Sequence, residues 1–272
     1  MSSPVADTTT SVDAPADLTV LMAGDQAEPT REREGRRTWT SREPVARDVR
    51  VAVGASTDAE SDVDGVRGTT ACWPVPAGTR RGWPRVTAAA IEALTVRSGP
   101  FPRATRTALW LPHLDGGIEH PSSVLLAGAD EQALVHEVAP VWFPGMVGDD
   151  QFRDPWLDES SAGCAESVTR SPPAAQVARA RTVDGSMAGF PDDRAHVETA
   201  HVETAHGEGA AMLLTARERV GAASDAVLRC HVDAAARTIA SPADVAAAPA
   251  DLPAALAVLQ ASGAPDAEEL PG

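Results

Sequence analysis

Apolar and polar positions change period several times along the chain, and each change predicts an element. Between Thr38 and Ala55, Val49, Val51 and Val53 alternate with polar or small residues, the period of two of a half-buried strand. From Arg85 to Ser98, Val86, Ile91, Leu94 and Val96 sit on an alanine-rich background that predicts a helix, and Gly99-Pro100 stops it. Thr105–Leu114 and Ser122–Ala127 read as short strands on either side of a turn-rich segment, Asp115 to Pro121. Helical patterns dominate afterwards, over about 130–143, 155–169, 207–219 and 222–238. Ser241-Pro242-Ala243-Asp244 then offers an N-cap serine, a proline at the first helical position and an acid three after the cap. A last helix, near 253–261, ends at Gly263. Strands first and helices after predict an α+β fold with a helical C-terminal half.

The remaining stretches lack such a period. Residues 1–36 alternate Ser, Thr, Asp, Ala and Pro and end in the mixed-charge run Arg31-Glu32-Arg33-Glu34, a composition expected of a disordered tail. Residues 57–81 are rich in Gly, Asp and Ser and read as a linker, and 265–272 as a second tail. Ala195-His196-Val197-Glu198-Thr199 is repeated at once as Ala200-His201-Val202-Glu203-Thr204. A spacing of five turns His196, His201 and His206 about 140° apart on a helix and puts neighbours on opposite faces of a strand. The repeat is therefore read as a tandem duplication and not as a metal cluster.

Charge and composition narrow the function. The chain has 272 residues, 39 acidic against 23 basic, and a formal net charge of -16, which excludes the phosphate-neutralising surface of a nucleic-acid binder. No stretch approaches the ~18–20 apolar residues of a membrane span. The first thirty residues lack a basic start and an apolar run, so a cytoplasmic product is expected. Cys72, Cys164 and Cys230 are odd in number and far apart, as reduced thiols would be. Tyr and Lys are absent, so any phenol or amine chemistry must come from other groups.

The segment with chemistry in it is Leu134-Val135-His136-Glu137-Val138-Ala139-Pro140-Val141-Trp142-Phe143. On a helix, His-Glu followed by a second His four residues after the first presents two imidazoles to one zinc ion, with the Glu beside the bound water. Here the first two residues of that pattern are present and the fifth is Pro140. After eighteen intervening residues comes Glu159, within Trp156-Leu157-Asp158-Glu159-Ser160-Ser161-Ala162. Upstream lies Gly116-Gly117-Ile118-Glu119-His120. Together these blocks resemble the aminopeptidase N family of gluzincin metallopeptidases, whose members carry H-E-x-x-H, eighteen residues, then a Glu ligand in a W-L-N-E-G-F-A context, after a G-x-M-E-N type segment. Trp39 to Ala55 is similar to the closing strand of that family's N-terminal β domain, and Val202 to Val232 to its downstream helices. The resemblance covers roughly 38–262.

The resemblance implies a fold, a reaction and a site. The fold would be a thermolysin-like peptidase domain over 82–264, with 37–56 as a remnant strand of the N-terminal β domain. The ancestral reaction is zinc-assisted removal of N-terminal residues from peptides. By position, His136 and Glu159 would be zinc ligands and Glu137 would polarise the attacking water. Glu119 would hold the peptide's free α-amine, with Gly116 and Gly117 along its backbone. His206 falls where the family has its transition-state Tyr. The expected partners are peptides with a free N-terminus.

The departures from the pattern fall on the chemistry. Pro140 replaces the second His, leaving two of the three protein ligands a catalytic zinc needs. Proline also removes the amide of position 140 and sets its ring against the carbonyl of His136, at a cost of about 3 kcal/mol inside a helix. The family's phenol, an oxyanion donor of the kind worth roughly 2.7–4 kcal/mol, is absent. The expectation is a metallopeptidase homologue with weak zinc binding and little turnover. The alternatives are a non-catalytic peptide-binding pseudopeptidase and the product of a degenerate gene remnant.

Overall fold

The computed structural model describes residues 3–55, 57–63, 66–72, 83–111, 114, 116–127, 131–150, 154, 156–169, 207, 209–248 and 252–261. They fall into two compact bodies. The first comprises Val5–Thr95 and Pro100–Val141; the second comprises Met1–Pro4, Val96–Gly99 and Trp142–Gly272. This division falls inside the span expected to be one peptidase domain.

The first body opens with strands β1 (Ala6–Pro15), β2 (Thr19–Met22), β3 (Asp25–Gln26), β4 (Arg36–Ala46) and β5 (Val51–Gly54). The expectation of a disordered tail over 1–36 is thereby corrected. A polar segment needs no core of its own if another strand supplies the partner, and β1 pairs antiparallel with β4 from Ala6↔Ala46 to Pro15↔Arg36. Alternate residues turn inward, so Ala14, Val20, Met22 and Trp39 close a small core. Gly24 ends β2 at φ +87, where a Cβ would overlap the carbonyl of Arg42.

The linker expected at 57–81 is also corrected over much of its length. It holds β6 (Thr57–Val63) and β7 (Val66–Cys72), an antiparallel hairpin. Residues 73–82 lie outside the described residues, as does the expected tail at 265–272. With β8 (Thr105–Trp110), β9 (Gly117–His120) and β10 (Ser123–Leu126), these strands form a five-stranded sheet in the order β6-β7-β8-β10-β9. The two central pairings, β7 with β8 and β8 with β10, are parallel; both outer ones are antiparallel. Central parallel strands are buried on both faces, and Ala71, Ala108, Leu109 and Leu126 are each at most 1% exposed.

Helix α1 (Trp83–Ser98) matches the predicted helix, with Thr87, Ala90, Ile91 and Leu94 buried. The expected helix over 130–143 is shorter. It is α2 (Glu131–Val138), followed by a 3-10 turn at Ala139–Val141. The second body holds α3 (Trp156–Thr169), α4 (Gly209–Val220), α5 (Ala223–Ala235), α6 (Pro242–Ala247) and α7 (Pro253–Ala261). Two short strands, β11 (Gly148–Asp149) and β12 (Ile239–Ala240), pair in parallel. Trp156, Leu157, Met212 and Leu259 pack as one apolar cluster of α3, α4 and α7. The expected cap of α6 is present: the Asp244 carboxylate accepts from the Ser241 amide at 2.8 Å and its hydroxyl at 2.9 Å.

A buried ion pair ties β4 to the loop before β8. Arg103 Nη1 donates to Glu43 Oε1 at 3.3 Å and to the Val45 carbonyl at 2.7 Å, and both charged side chains are 5% exposed. Removing one member strands the other charge in a low-dielectric interior, which typically costs about 3–5 kcal/mol. Chemical denaturation of Glu43→Ala is expected to show a loss of that order. The double change Glu43→Leu with Arg103→Met should recover much of it.

Candidate functional site

The turn expected between β8 and β10 contains a strand. Gly116, at φ +79, turns the chain into β9, and Ala127 donates its amide to the Gly116 carbonyl at 2.9 Å. Strand β9 then pairs with β10 as Gly117↔Leu126, Ile118↔Leu125, Glu119↔Val124 and His120↔Ser123. A run of glycines and polar residues conceals this strand from a sequence reading, because its hydrogen-bonding partner is β10 and its own residues show no apolar alternation. Glu119 is partly buried on the edge strand of the sheet.

Helix α2 lies against β9 and β10 in the same body. Its last turn carries His136, partly buried, and Glu137, 8% exposed. The Glu137 side chain runs over Gly117 so closely that a Cβ there would overlap the carboxylate. The structure thus brings together Gly117 and Glu137, two of the residues singled out in the sequence. It sets Gly116 and Glu119 beside them on the same strand segment.

Helix α2 then stops. Pro140 has no N–H to give the His136 carbonyl, and a residue before proline avoids the helical region. Residues 139–141 tighten into the 3-10 turn, and Pro140 is buried there. The helix thus ends at Val138, two residues before the proline.

In the second body, Glu159 lies in the first turn of α3 and is partly buried. Trp142 anchors the preceding loop by donating Nε1–H to the Gly99 carbonyl at 3.0 Å. One residue near Glu159 is missed by the sequence reading. Asp149 on β11 is 4% exposed, and burial pushes its carboxyl up to about 7, with Glu159 and Asp150 adding like-charge repulsion. Its Oδ2 has no hydrogen-bond partner. The only signal for it in the sequence is the pair Asp149-Asp150, indistinguishable from a solvated turn. His206 lies outside the described residues, as do His196 and His201.

The donor set does not fit a three-ligand zinc centre. Among the described residues no group of three His, Cys, Asp or Glu side chains is placed to hold a metal ion. The position that would carry the second imidazole holds a buried proline ring.

No protein-family model and no curated protein sequence matches the chain. Solved structures do. An M1 zinc metallopeptidase from Deinococcus radiodurans is 23% identical with a TM-score of 0.81, over 99% of this chain and 66% of that one. A mutant two-domain M1 zinc metallopeptidase bound to L-arginine is 22% identical with a TM-score of 0.82, over 96% and 64%. A Deinococcus radiodurans mutant bound to a Tyr-Ser-Ala substrate is 22% identical with a TM-score of 0.80, over 96% and 65%. The chain therefore has the mixed helix-and-sheet fold of M1 zinc metallopeptidases and spans just under two thirds of the length of these structures. Among the described residues no helix is long and apolar enough to cross a membrane.

Two outcomes follow from this geometry. Gly117→Ala puts a methyl group where the Glu137 carboxylate lies, and overpacking of this kind costs typically 1–3 kcal/mol; a thermal melt should show the loss. His120, whose Nδ1 is 3.0 Å from Asp48 Oδ2, is held below its usual pKa by burial, which outweighs the carboxylate. A histidine with a depressed folded pKa stabilises the fold above its unfolded value near 6.5, and that stability is lost as pH falls below it. Denaturation measured from pH 7.5 to 5 should decline less steeply for His120→Gln than for the parent chain.

Proposed function

We propose that this chain is an aminopeptidase-type zinc metallopeptidase homologue whose catalytic step is lost or severely weakened, on a thermolysin-like scaffold that keeps recognition of peptide N-termini. The carrying observation is Pro140. It is buried in the turn that ends α2 directly after His136 and Glu137. Zinc, when bound to a complete ligand set, acidifies water for attack on a peptide carbonyl. Here His136 and Glu159 would be its two remaining family-type ligands, and two protein ligands hold the ion weakly.

The recognition half of the proposal rests on residues the proline does not reach. Glu119, on an edge strand, offers a carboxylate to a peptide α-amine. Gly116, with nothing within 4 Å of its Cβ position, leaves the backbone open there, and Gly117, beneath Glu137, would lie along the peptide main chain with it. Glu137, held over Gly117, would orient a water in an intact enzyme of this type. His206 would stand in for the phenol that donates to an oxyanion. Peptides with free N-termini are the proposed partners, and binding without cleavage is the reading that Pro140 favours over full activity. A cytoplasmic location is proposed with it.

The test restores the missing ligand. After mild dialysis, metal analysis of the parent protein should find well under one zinc per chain, because even a lost second-shell partner costs about 10–100-fold in metal affinity. Pro140→His should raise zinc retention. Adding His206→Tyr should bring cleavage of amino-acid anilides, which Glu137→Gln should abolish. Robust, chelator-sensitive cleavage by the parent chain would overturn the proposal. So would failure of Pro140→His to improve zinc retention in a cooperatively folding variant.

A further inference from the structure

Strand β1 is the outer strand of the sheet β1-β4-β3, and among the described residues no strand pairs with its other edge. It is ten residues long, and an edge of that length presents a row of amides and carbonyls to any further strand. Edges of this kind are blunted by lysines, prolines or bulges. The chain has no Lys, and on β1 the bulge lies between Ala6 and Thr8 and the proline at position 15. Both devices sit at the ends of the strand. Between them Thr8–Ala14 runs in regular register with β4, and Ser11 is the midpoint of that run.

The two faces of β1 differ. Thr8, Thr10, Val12 and Ala14 are part-buried or buried, the last two on the small core, whereas Asp7, Thr9, Ser11 and Asp13 are exposed. The exposed face carries its charge in matched pairs. Arg42 of β4 donates to Asp7 at 2.7 Å and Arg36 of β4 donates to Asp13. All four side chains are about half exposed or more, so these pairs can be shared with a neighbour. In a chain of net charge -16 this face is locally neutral, and a second acidic copy meets less repulsion here than the net charge implies.

We propose that β1 pairs antiparallel with β1 of a second copy, Ser11 facing Ser11 on a two-fold axis, so that two three-stranded sheets join as one. Thr9 then faces Asp13, and Asp7 faces Pro15, of the other copy. Within each copy Thr9 stands beside Arg42 and Pro15 beside Arg36. Each acid of one copy thus enters the row of an arginine of the other: Asp13 that of Arg42, Asp7 that of Arg36. At the axis, Ser11 lies 3.1 Å from the Thr40 hydroxyl, and the pairing extends this contact to a row of four hydroxyls. Centring on Thr10 instead would put Asp7 opposite Asp13, and like charges directly opposite are destabilising. Centring on Thr9 takes neither acid into an arginine row. Two strand edges make a small interface, below about 1,200 Å² in total, so the dimer is weak and concentration-dependent.

Sedimentation velocity on the 272-residue chain tests the association, and engineered cysteines in a Cys230→Ser background read its register. The parent chain should pass reversibly from monomer to dimer as concentration rises. Ser11→Asp, at a position exposed in the monomer, sets two carboxylates face to face and should weaken the dimer about tenfold or more. Under mild oxidation Ser11→Cys should give a disulfide-linked dimer, because directly opposed residues of an antiparallel pair lie within the Cα separation a disulfide spans. Thr9→Cys and Thr10→Cys should cross-link far less. Glu119→Gln should dimerise as the parent does. A chain that stays monomeric at every concentration, a dimer unaffected by Ser11→Asp, or stronger cross-linking through Thr9→Cys or Thr10→Cys would each overturn the proposal. So would loss of the dimer in Glu119→Gln, which would place one copy's N-terminus in the peptide site of the other.

Discussion

Strand β10 pairs with β8 on one side and with β9 on the other, and the arrangement of the candidate site hangs on that double register. The parallel pair buries Leu109 and Leu126 completely. The antiparallel pair then fixes which residues of β9 stand where. Because successive side chains in a strand alternate faces, Gly117 and Glu119 share one face of β9, while Ile118 and His120 take the other. A slip of one residue would exchange the two sets. Helix α2 packs on the same strands, and the bare backbone at Gly117 is what lets the Glu137 carboxylate lie over it.

Pro140 acts on this frame locally. It ends α2 without disturbing the sheet, since Val138, Ala139 and Val141 around it are all buried. The fold shared with M1 zinc metallopeptidases therefore accommodates a proline at this position. Packing around this position asks only for apolar volume, and proline supplies it. Metal chemistry asks for an imidazole, and proline has none. The two demands separate at a single residue.

The helices were largely legible because their signals are local. Ser241-Pro242 and Asp244 mark α6, and Pro253 to Ala261 is helical as the pattern predicts. The strands were less so. Ala6–Pro15 looks like a disordered tail because its partner, β4, lies some thirty residues away, and pairing at that distance leaves no local trace. The same holds for β6, β7 and β9, whose polar residues and glycines read as linker or turn. For the candidate site, His136, Glu137 and Glu159 are singled out by spacing and resemblance alone. Asp149 could not: a buried acid with an unmet oxygen is a fact of packing that its neighbours in sequence do not announce.

The division of the chain has a consequence for its synthesis. Every residue of the first body has been made once Val141 is added, and of the residues preceding it only Met1–Pro4 and Val96–Gly99 belong to the second body. On a ribosome, the whole five-stranded sheet and its N-terminal strands can therefore assemble while the helical half is still being translated. Glu43 and Arg103, the partners of the buried ion pair, are both made before Trp156 exists.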